Sequence, residues 1–406
     1  MSQRGKVVVV GAGPVGAVVA LAAAQRGFPV TVIERNADVE YDSSPRAATF
    51  HPSTLEMLDG LSITDEFLSV GLVSRYFDFW DRPTGSLVAR MDHDVLRDDT
   101  SFPYVVQTEQ HKLVHIALQQ LRHLPDVEIL LGWQLDSITQ DEHGVTACAS
   151  HGAERRQLRG TWLIGTDGGR STVRKLMGID FDGYTWPERF AVLTTPFDFA
   201  SVMGCSQRSY FADPDEWVNL FKVAGDDLRG RWRAVFPAPA DRSDADVLSD
   251  SYAGERLARI RAEAGDADLL HRNIYHVHQR VAARFRNGRV LLAGDAAHVN
   301  NPIGGLGLNC GIHDARELIE TVAAVENGSG DAALLDRYER RRRTINIEFV
   351  QQQTVDNKQR LEEKDPQKRR ARLETLTAIA GDESRQRAFL RRTSLLDAVR
   401  RARDID

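Results

Sequence analysis

The sequence has few cysteines and no long apolar segment. Its 406 residues include three cysteines, Cys148, Cys205 and Cys310, which lie far apart. This spacing suits neither a disulfide framework nor a metal site, so we expect reduced thiols in a reducing compartment. No stretch reaches the roughly 20 apolar residues that a membrane helix needs. The apolar run KVVVV near the N-terminus is too short for an export signal, so we expect a cytoplasmic protein without a membrane span.

Two kinds of catalytic signature are also missing. The sequence shows no serine, histidine and aspartate pattern of a nucleophilic hydrolase, and no credible set of metal ligands. His276 and His278 would share one face of a strand in HRNIYHVHQR, but no third ligand is nearby. Packing or surface roles are therefore favoured for both. We expect neither a bound metal nor a protein nucleophile.

Charge is distributed unevenly along the chain. The formal net charge is −6, yet residues 337–406 contain 19 Lys/Arg and 12 Asp/Glu, a local +7 that leaves −13 on residues 1–336. The basic residues alternate with acids, and Leu and Ile recur at helical spacing, which indicates solvated helices packed on a larger body. Because no stacking aromatics accompany the basic residues, we do not expect nucleic-acid binding.

A glycine-rich junction between a strand and a helix stands near the N-terminus. KVVVV predicts a strand buried on both faces, PVGAVVALAAAQRG a helix, and PVTVIER a second strand. Gly11, Gly13 and Gly16 lie at the junction, and Glu34 ends the second strand. Such glycines let a pyrophosphate reach the helix N-terminus, and such a carboxylate accepts hydrogen bonds from a ribose. The unit predicts dinucleotide binding, with a tight turn that binds no ligand as the alternative.

Two later junctions are built in the same way. TWLIGTDGG places Asp167 at the end of an apolar strand, and RVLLAGDAAHVNNPIGGLGLN places Asp295 at the end of another, before a loop with Gly304, Gly305 and Gly307. Three junctions spread over most of the chain require a long ligand. A simple nicotinamide dehydrogenase would concentrate its fingerprint in the first junction. The pattern therefore favours FAD over NAD.

With these motifs in this order, the sequence resembles the single-component flavoprotein aromatic hydroxylases of the 4-hydroxybenzoate hydroxylase fold. The resemblance covers roughly residues 6–335. It extends to SPRAATFHPSTLEMLDGL, where Arg46 matches an arginine near the FAD, and to VVQTEQHKL, where Gln107 matches a glutamine that contacts the flavin. It implies an α/β protein with an FAD-binding Rossmann-like domain of the glutathione-reductase type, an inserted mixed β-sheet substrate domain and a C-terminal helical segment.

The chain should then divide into alternating parts. We expect FAD-binding parts at residues 1–75, 111–180 and 286–335, substrate-side parts at residues 76–110 and 181–285, and C-terminal helices at residues 336–406. Dimer contacts through these helices remain open.

The resemblance also implies which residues bind the cofactor. Glu34, with Arg35 beside it, is expected at the adenosine ribose, and Asp295 beside the ribityl chain. The loop after Asp295 is expected under the pyrimidine edge of the isoalloxazine, where a helix N-terminus stabilises the charge of reduced flavin. The other cofactor-binding residues implied in this way are Gly11, Gly13, Gly16, Arg46, Gln107, Asp167, Gly305, Leu306, Gly307, Leu308 and Asn309.

The chemistry is implied by the same resemblance. NADH or NADPH reduces the flavin, O2 adds at C4a to give a hydroperoxide, and its terminal oxygen passes to a phenolic or hydroxypyridine-like ring. Pro302 matches a proline beside the reactive C4a edge. The protein must orient the small aromatic substrate, favour its phenolate and keep water away from the hydroperoxide. The sequence leaves open NADH or NADPH, and an anionic or a neutral substrate.

The substrate residues depend on which of two alignments holds. CSQRS repeats a family segment that holds a substrate carboxylate and would make Ser206 and Arg208 a clamp, but it comes too early for the family spacing. The alternative aligns YFADP with a hairpin that carries a substrate-activating tyrosine, and RWRAVFP with the next strand. We prefer this second alignment. It makes Tyr210 the residue that activates the phenol, Arg233 a substrate-strand residue and Arg231 a flavin-side residue.

Other functions remain open beside aromatic hydroxylation. Reductases and halogenases share the fold, although a halogenase would carry a second tryptophan-rich signature where RWRAVFPAPA offers only Trp232. A non-catalytic FAD-bound sensor or scaffold that uses the basic C-terminal helices for contact is an alternative from a different class. Steady NAD(P)H oxidation stimulated by an aromatic compound would distinguish an enzyme from a scaffold.

Overall fold

A computed structural model of the protein describes residues 4–39 and 47–406. The strands of these residues are, in chain order, β1 (Val7–Val10), β2 (Val30–Glu34), β3 (Thr49–Phe50), β4 (Leu72–Ser74), β5 (Tyr76–Asp81), β6 (Ser86–Asp92), β7 (Val105–Gln107), β8 (Val127–Leu131), β9 (Gln134–Gln140), β10 (Val145–His151), β11 (Glu154–Gly160), β12 (Trp162–Gly165), β13 (Phe181–Thr195), β14 (Arg208–Ala212), β15 (Val218–Val223), β16 (Arg231–Ala238), β17 (His271–Ala282), β18 (Arg286–Asn287), β19 (Val290–Leu292) and β20 (His298–Val299).

The α-helices of the same residues are α1 (Pro14–Gln25), α2 (Pro52–Asp59), α3 (Thr64–Ser69), α4 (Gln110–Arg122), α5 (Thr172–Leu176), α6 (Phe199–Met203), α7 (Asp244–Val247), α8 (Asp250–Ile260), α9 (Leu306–Glu326), α10 (Ala333–Ile345), α11 (Gln352–Glu362), α12 (Pro366–Ala380), α13 (Glu383–Thr393) and α14 (Leu396–Arg403). A π-helical segment, Asn346–Gln351, joins α10 to α11. Short 3₁₀ turns lie at His93–Leu96, Ala262–Ala264 and Gly294–Ala296.

A six-stranded sheet with the order β18-β19-β12-β1-β2-β8 forms the first domain. All its pairs are parallel except β18 with β19. The four valines of β1 are fully or almost fully buried, as expected for a parallel strand covered on both faces. Helix α1 packs against β1, β2, α4 and α9, which explains why its sequence is apolar on every side.

The three glycine junctions meet at one edge of this sheet. Val10 of β1 pairs with Gly165 of β12, and Gly165 pairs with Leu292 of β19. The carboxyl ends of three neighbouring parallel strands therefore lead directly into the segments that begin at Gly11, Thr166 and Ala293. Ligands of open α/β sheets bind outside such strand ends.

A mixed eight-stranded sheet forms the second domain, in the order β20-β17-β13-β16-β15-β14-β5-β6. Neighbouring strands are antiparallel except β14 with β5. Two distant stretches of sequence, residues 76–92 and 181–282, supply most of it. The expected fold class, with an FAD-binding-type domain, an inserted mixed sheet and C-terminal helices, is confirmed. The domain boundaries themselves stay a prediction.

The C-terminal helices pack on this second sheet. Helices α12 and α13 both contact β6. The buried carboxylate of Asp99 accepts hydrogen bonds from Arg387 at 2.6 Å and from Arg400 at 2.9 Å, and Arg369 pairs with Asp81. These basic side chains therefore bind the helices to β5 and to the segment that follows β6.

The three cysteines are free thiols, two buried and one half-buried. Within residues 4–39 and 47–406, no helix has the length and apolar character needed to cross a membrane.

Candidate active site

A cavity of about 870 Å³ extends from the three glycine junctions to the eight-stranded sheet. Its first half is lined by the loop before α1, the end of β2, and the segments after β12 and β19. Its second half is lined by β13, β15, β16 and β17. One continuous space therefore joins the expected cofactor site to the expected substrate domain.

The glycines before α1 differ in what they do. A side-chain carbon on Gly13 would meet no atom within 4 Å, so this position opens into the cavity. A side-chain carbon on Gly16 would lie 1.9 Å from the carbonyl oxygen of Gly11, so Gly16 allows the helix to pack on the loop. Gly11 itself has a φ of +102°, which L-residues rarely adopt. The loop thus leaves room for a phosphate at the N-terminus of α1.

Glu34 lies at the carboxyl end of β2 and is 8% exposed. Its Oε2 accepts a hydrogen bond from the Ala12 N–H at 2.8 Å, and its Oε1 accepts one from the Asn36 N–H at 2.8 Å. Each carboxylate oxygen retains a lone pair that a ribose hydroxyl can use. Arg35, which is exposed, lines the same end of the cavity. Glu34 therefore braces the glycine loop as well as facing the cavity.

The two aspartates of the later junctions also line the cavity. The carboxylate of Asp167 accepts hydrogen bonds from the Ser171 hydroxyl at 2.5 Å and from the Thr172 N–H at 2.6 Å. It thereby caps the start of α5. Asp295 is exposed to the cavity between the buried residues Gly294 and Ala296.

The loop from Pro302 to Leu308 contributes backbone to the cavity wall. Gly305 has a φ of +67° and is the N-cap of α9, so the unpaired N–H groups of this long helix begin at the wall. Asn309 lies one turn further on and is buried. Its Nδ2 donates to the carbonyl oxygens of Thr49 at 2.8 Å and Gly305 at 2.6 Å. Asn309 therefore fixes the loop and does not itself line the cavity.

Gln107, which is expected at the flavin, is not part of the cavity wall. Gln107 is fully buried in β7, where its Oε1 accepts from the Thr49 hydroxyl at 2.5 Å and its Nε2 donates to the Gln207 carbonyl at 3.2 Å. Thr49 lines the cavity in front of it. Arg46 lies outside the described residues. Direct contacts of Gln107 and Arg46 with FAD stay predictions.

A buried charge network lies behind the Asp295 segment, and sequence reasoning missed it. Asp314 of α9 lies 2.6 Å from Nε2 of His298, accepts from Nε of Arg342 at 2.6 Å, and accepts from the Gly294 N–H at 2.9 Å. Burial raises the pKa of Asp314, but His298 and Arg342 outweigh it and lower this pKa to about 2. The only sequence signal is an acid on the apolar face of a helix.

His298 and Asp314, together with Cys310, lie close enough to one another to hold a metal ion. The guanidinium of Arg342 already bonds two of these three residues, since Nε donates to Asp314 at 2.6 Å and Nη2 donates to Sγ of Cys310 at 3.1 Å. The group therefore forms an internal ion pair rather than a credible cation site.

The substrate half of the cavity has an apolar surface, called the floor below, with a polar residue at each end. Asn219, Val235, Val192 and Asn273 are successive partners across β15, β16, β13 and β17, and all four line the cavity. Partners in adjacent strands point to the same face. Arg233 lies in the next row and is 5% exposed; burial lowers its pKa, and Glu109 and Tyr275 oppose this effect.

Tyr210 lies just beyond this floor and is not part of the cavity wall. Its ring packs edge-on against Phe77, with 4.8 Å between ring centroids, and against Phe221, with 5.9 Å. Its buried hydroxyl faces Arg208 and the backbone of Gly304, and both act to lower its pKa. Burial raises the pKa of Tyr210. The catalytic role of Tyr210 stays a prediction, and any contact with a substrate requires Phe221 or the Gly304 loop to move.

Ser206 and Arg208, which the first alignment makes a carboxylate clamp, both have contacts within the protein. The Ser206 hydroxyl donates to the Arg208 carbonyl at 2.8 Å, and Nη2 of Arg208 donates to the Gly304 carbonyl at 3.3 Å. Neither side chain lines the cavity. YFADP runs from the end of β14 into the turn before β15. The choice between the two alignments stays a prediction.

A parallel sheet whose strand ends surround a long cavity, with a mixed sheet at the far end, is the architecture expected of an FAD-binding protein with an inserted substrate domain. The chain belongs to the family described as FAD binding domain, whose pattern matches residues 4–353. FAD is therefore its cofactor, and the open Gly13 position, Glu34 and the N-terminus of α9 fit that group.

The relatives are aromatic monooxygenases. Para-nitrophenol 4-monooxygenase of Pseudomonas sp. (strain WBC-3) is 38% identical over 366 residues, 89% of either chain. The 6-hydroxy-3-succinoylpyridine 3-monooxygenase HspB of Pseudomonas putida (strain DSM 28022 / S16) is 32% identical over 371 residues, 90% of this chain and 91% of the relative. The crystal structure of p-nitrophenol 4-monooxygenase PnpA from Pseudomonas putida DLL-E4 superposes with a TM-score of 0.89 at 36% identity, covering 96% of this chain and 97% of the other. The protein is an FAD-dependent aromatic monooxygenase.

Proposed function

We propose that the protein hydroxylates a small phenol or hydroxypyridine with a single ring, using O2 and either NADH or NADPH. The row formed by Asn219, Val235, Val192 and Asn273 carries this proposal, since it offers an apolar surface with an amide at each end. The relatives named above act on a nitrophenol and on a hydroxypyridine. Both are single rings with a polar substituent besides the hydroxyl.

In this proposal one half of the cavity binds the cofactor and the other half binds the substrate. Gly13, Glu34 and Asp295 bind the FAD, which supplies reduction by nicotinamide and activation of oxygen when bound. Gly11, Gly16, Asp167, Gln107 and Asn309 hold the loops that carry the contacts, while Arg35, Arg46, Gly305, Leu306, Gly307 and Leu308 complete the cofactor set.

The substrate half must orient the ring and exclude water. Val192, Val235, Phe221 and Ile303 line this half and make it apolar, which protects an oxidising site from unproductive loss of peroxide. Arg233 brings a buried cation to the same wall. Pro302 limits the freedom of the loop between the two halves. Tyr210 acts on the ring hydroxyl from the inner end.

The test is a substrate screen of FAD-loaded protein. Phenols, hydroxypyridines and aromatic acids are compared for stimulation of NADH and NADPH consumption, with products identified by mass. We expect phenols and hydroxypyridines with one ring to give products that are one oxygen heavier. Consumption without any oxygenated product, or no stimulation by any compound, would contradict the proposal and favour a reductase or a non-catalytic role. The choice between NADH and NADPH stays open. A homodimer and a cytoplasmic location stay predictions.

A further inference from the structure

The loop 301–304 lies where the cofactor half of the cavity meets the substrate half. Pro302 and Ile303 line the cavity, and Ile303 also packs in an apolar cluster on the eight-stranded sheet. The loop leads into α9, whose N-cap Gly305 stands at the cavity wall. A monooxygenase must bring its flavin and its substrate together. This loop and the unpaired N–H groups that follow it therefore border the place where the two meet.

Two amide side chains bind the backbone of this loop. At its start, the Asn301 N–H donates to Oε1 of Gln279 at 3.0 Å. Further along, Nδ2 of Asn357 donates to the Ile303 carbonyl at 3.3 Å. Both amides are buried, so water has little access to these bonds. Because an N–H requires an acceptor and a carbonyl requires a donor, the loop also fixes the orientation of each amide.

The same side chains connect the loop to the C-terminal helices. Asn357 lies on α11. Gln279 lies on β17, and its Nε2 donates to Oγ1 of Thr354, also on α11, at 3.3 Å. The Thr354 hydroxyl donates to the Gln351 carbonyl at 2.9 Å. Three buried side chains, called the loop-holding group below, thus join the loop to one helix: Gln279, Thr354 and Asn357.

A π-helical segment determines which side of α11 faces the loop. This segment, Asn346–Gln351, lies between α10 and α11 and contacts both β17 and α9. A π turn contains one residue more than an α turn, and one added residue rotates the following helix by about 100°. π turns are rare in proteins and occur frequently at functional sites. The segment therefore indicates a use for the side of α11 that carries Thr354 and Asn357.

The contact between α11 and the loop is close. Gly304 has a φ of +111°, and a side-chain carbon on it would lie 2.7 Å from Nδ2 of Asn357. The Asn357 amide is itself held in place. Its Oδ1 accepts from Nε2 of Gln353 at 3.2 Å and from Nη1 of Arg360 at 3.2 Å. Because each member of such a buried network restricts the next, the loop takes its position from the helix.

We propose that Gln279, Thr354 and Asn357 are positioning residues, which hold the loop and the N-terminus of α9 at the reactive end of the bound FAD. None of the three side chains lines the cavity, so each acts through the loop. The inference goes beyond the proposed function, because it depends on FAD binding and not on the identity of the substrate. It gives the C-terminal helices a role in the chemistry of the cofactor.

The test measures the reduction potential of bound FAD, which requires no substrate. A helix N-terminus stabilises the negative charge of reduced flavin, so its displacement lowers the potential. In Gln279→Met and in Asn357→Leu, we expect a fall of about 30 mV, which is a tenfold change in the relative binding of reduced and oxidised FAD. Both replacements are neutral and similar in size to the original side chain. The affinity for oxidised FAD should change little, since Gly13 and Glu34 are untouched.

The third member of the loop-holding group offers a milder pair of variants. Thr354→Val removes the hydroxyl that accepts from Gln279 and should also lower the potential. Thr354→Ser keeps this hydroxyl and should retain the potential of the parent. The pair keeps the inference testable where the loss of a buried amide prevents folding.

Gln386 on α13 provides a matched control for Gln279. It is also a buried amide, and its Oε1 accepts from the Asp92 N–H at 2.6 Å while its Nε2 donates to the Ala380 carbonyl at 3.3 Å. Gln386→Met removes the same kinds of hydrogen bond away from the loop. It should unfold at a lower temperature than the parent, as Gln279→Met does, but should keep the parent's reduction potential.

The outcomes distinguish this inference from the proposed function. An unchanged potential in Gln279→Met, Asn357→Leu and Thr354→Val would overturn the inference. An equal fall in Gln386→Met would assign the change to general destabilisation and would also overturn it. A parent protein that binds FAD but oxygenates no phenol or hydroxypyridine would contradict the proposed function and leave this measurement intact.

Discussion

Oε2 of Glu34 lies 2.8 Å from the backbone nitrogen of Ala12 and accepts its hydrogen bond. The acid at the end of the second strand therefore holds the glycine loop of the first junction. Glu34→Ala should weaken FAD binding by about 1.5 to 3 kcal/mol, the contribution of a charge-assisted hydrogen bond. The measurement is FAD release followed by flavin fluorescence.

Glu128 on the neighbouring strand provides a matched control for Glu34. It pairs with Arg156 at 2.9 Å and does not line the cavity. Glu128→Ala should retain FAD as the parent does. If Glu34→Ala also retains FAD fully, the assignment of Glu34 to the ribose is wrong. Arg46→Ala is expected to weaken FAD binding to a similar degree.

A second prediction distinguishes two roles of glycine. A glycine can leave space for FAD, or it can let the loop and the helix pack closely. Gly13 has a φ of −65°, and a side-chain carbon there would meet no atom within 4 Å. Gly13→Ala should therefore leave the stability of the FAD-free protein unchanged, yet lower FAD affinity at least tenfold, because the added methyl occupies the phosphate position. Gly16→Ala should lower both, because its methyl would overlap the Gly11 carbonyl. Thermal unfolding without FAD and FAD titration distinguish the two. Normal FAD binding by Gly13→Ala would contradict a phosphate at this loop.

The cofactor half could be predicted from the sequence because its signals are local. The first junction is recognised within about 30 residues. Its signals are a buried strand, glycines at fixed spacing and an acid at the end of the next strand. The two later junctions are also glycine-containing segments that follow an apolar strand. Their meeting at adjacent strand ends, Val10 beside Gly165 and Gly165 beside Leu292, follows from parallel pairing.

The substrate half could be predicted only in outline because its contacts are long-range. Asn219 is one polar residue in an alternating strand, a pattern that also fits a solvent-facing position. Its burial depends on the register with Tyr210 and on the C-terminal helices that cover the sheet. Arg360 and Arg342 belong to a basic segment that resembled solvated helices, yet Arg342 is 2% exposed. No local pattern shows which arginine of such a segment points inward.

A third prediction concerns the ion pair between Asp314 and Arg342. Asp314→Asn should lower the free energy of unfolding at pH 7 by about 3 to 5 kcal/mol, because it leaves a buried guanidinium without its anion. Urea denaturation of the FAD-free proteins measures this difference. Glu317→Gln is the control: this acid is 19% exposed and lies 3.9 Å from Arg342, so its loss should cost less than the loss of Asp314.

The pH dependence of this difference has a definite sign. The pKa of Asp314 is lowered to about 2 in the folded protein, against about 3.9 for an unfolded aspartate. Its contribution is therefore complete above pH 4 and is lost as the pH falls from about 4 towards 2. Parent and Asp314→Asn should converge as the pH falls below 4. A difference that grows as the pH falls from 4 towards 2 would contradict the assignment.

The last prediction concerns Tyr210, whose hydroxyl is buried without a hydrogen-bond partner. If it serves the substrate rather than the fold, Tyr210→Phe should unfold at the same temperature as the parent or slightly higher, since no bond is lost. It should still bind substrate and still be reduced by NAD(P)H, yet hydroxylate poorly and release hydrogen peroxide, because the ring is less activated.

Tyr338→Phe is the matched control, because the Tyr338 hydroxyl donates to the Leu292 carbonyl at 2.7 Å. This control should lose about 1 kcal/mol of stability and keep its coupling of NAD(P)H use to product. Peroxide yield per NAD(P)H and thermal unfolding are measured on both variants. A Tyr210→Phe variant that is destabilised but fully coupled would make Tyr210 a packing residue. It would leave Arg233 as the remaining candidate for acting on the substrate ring.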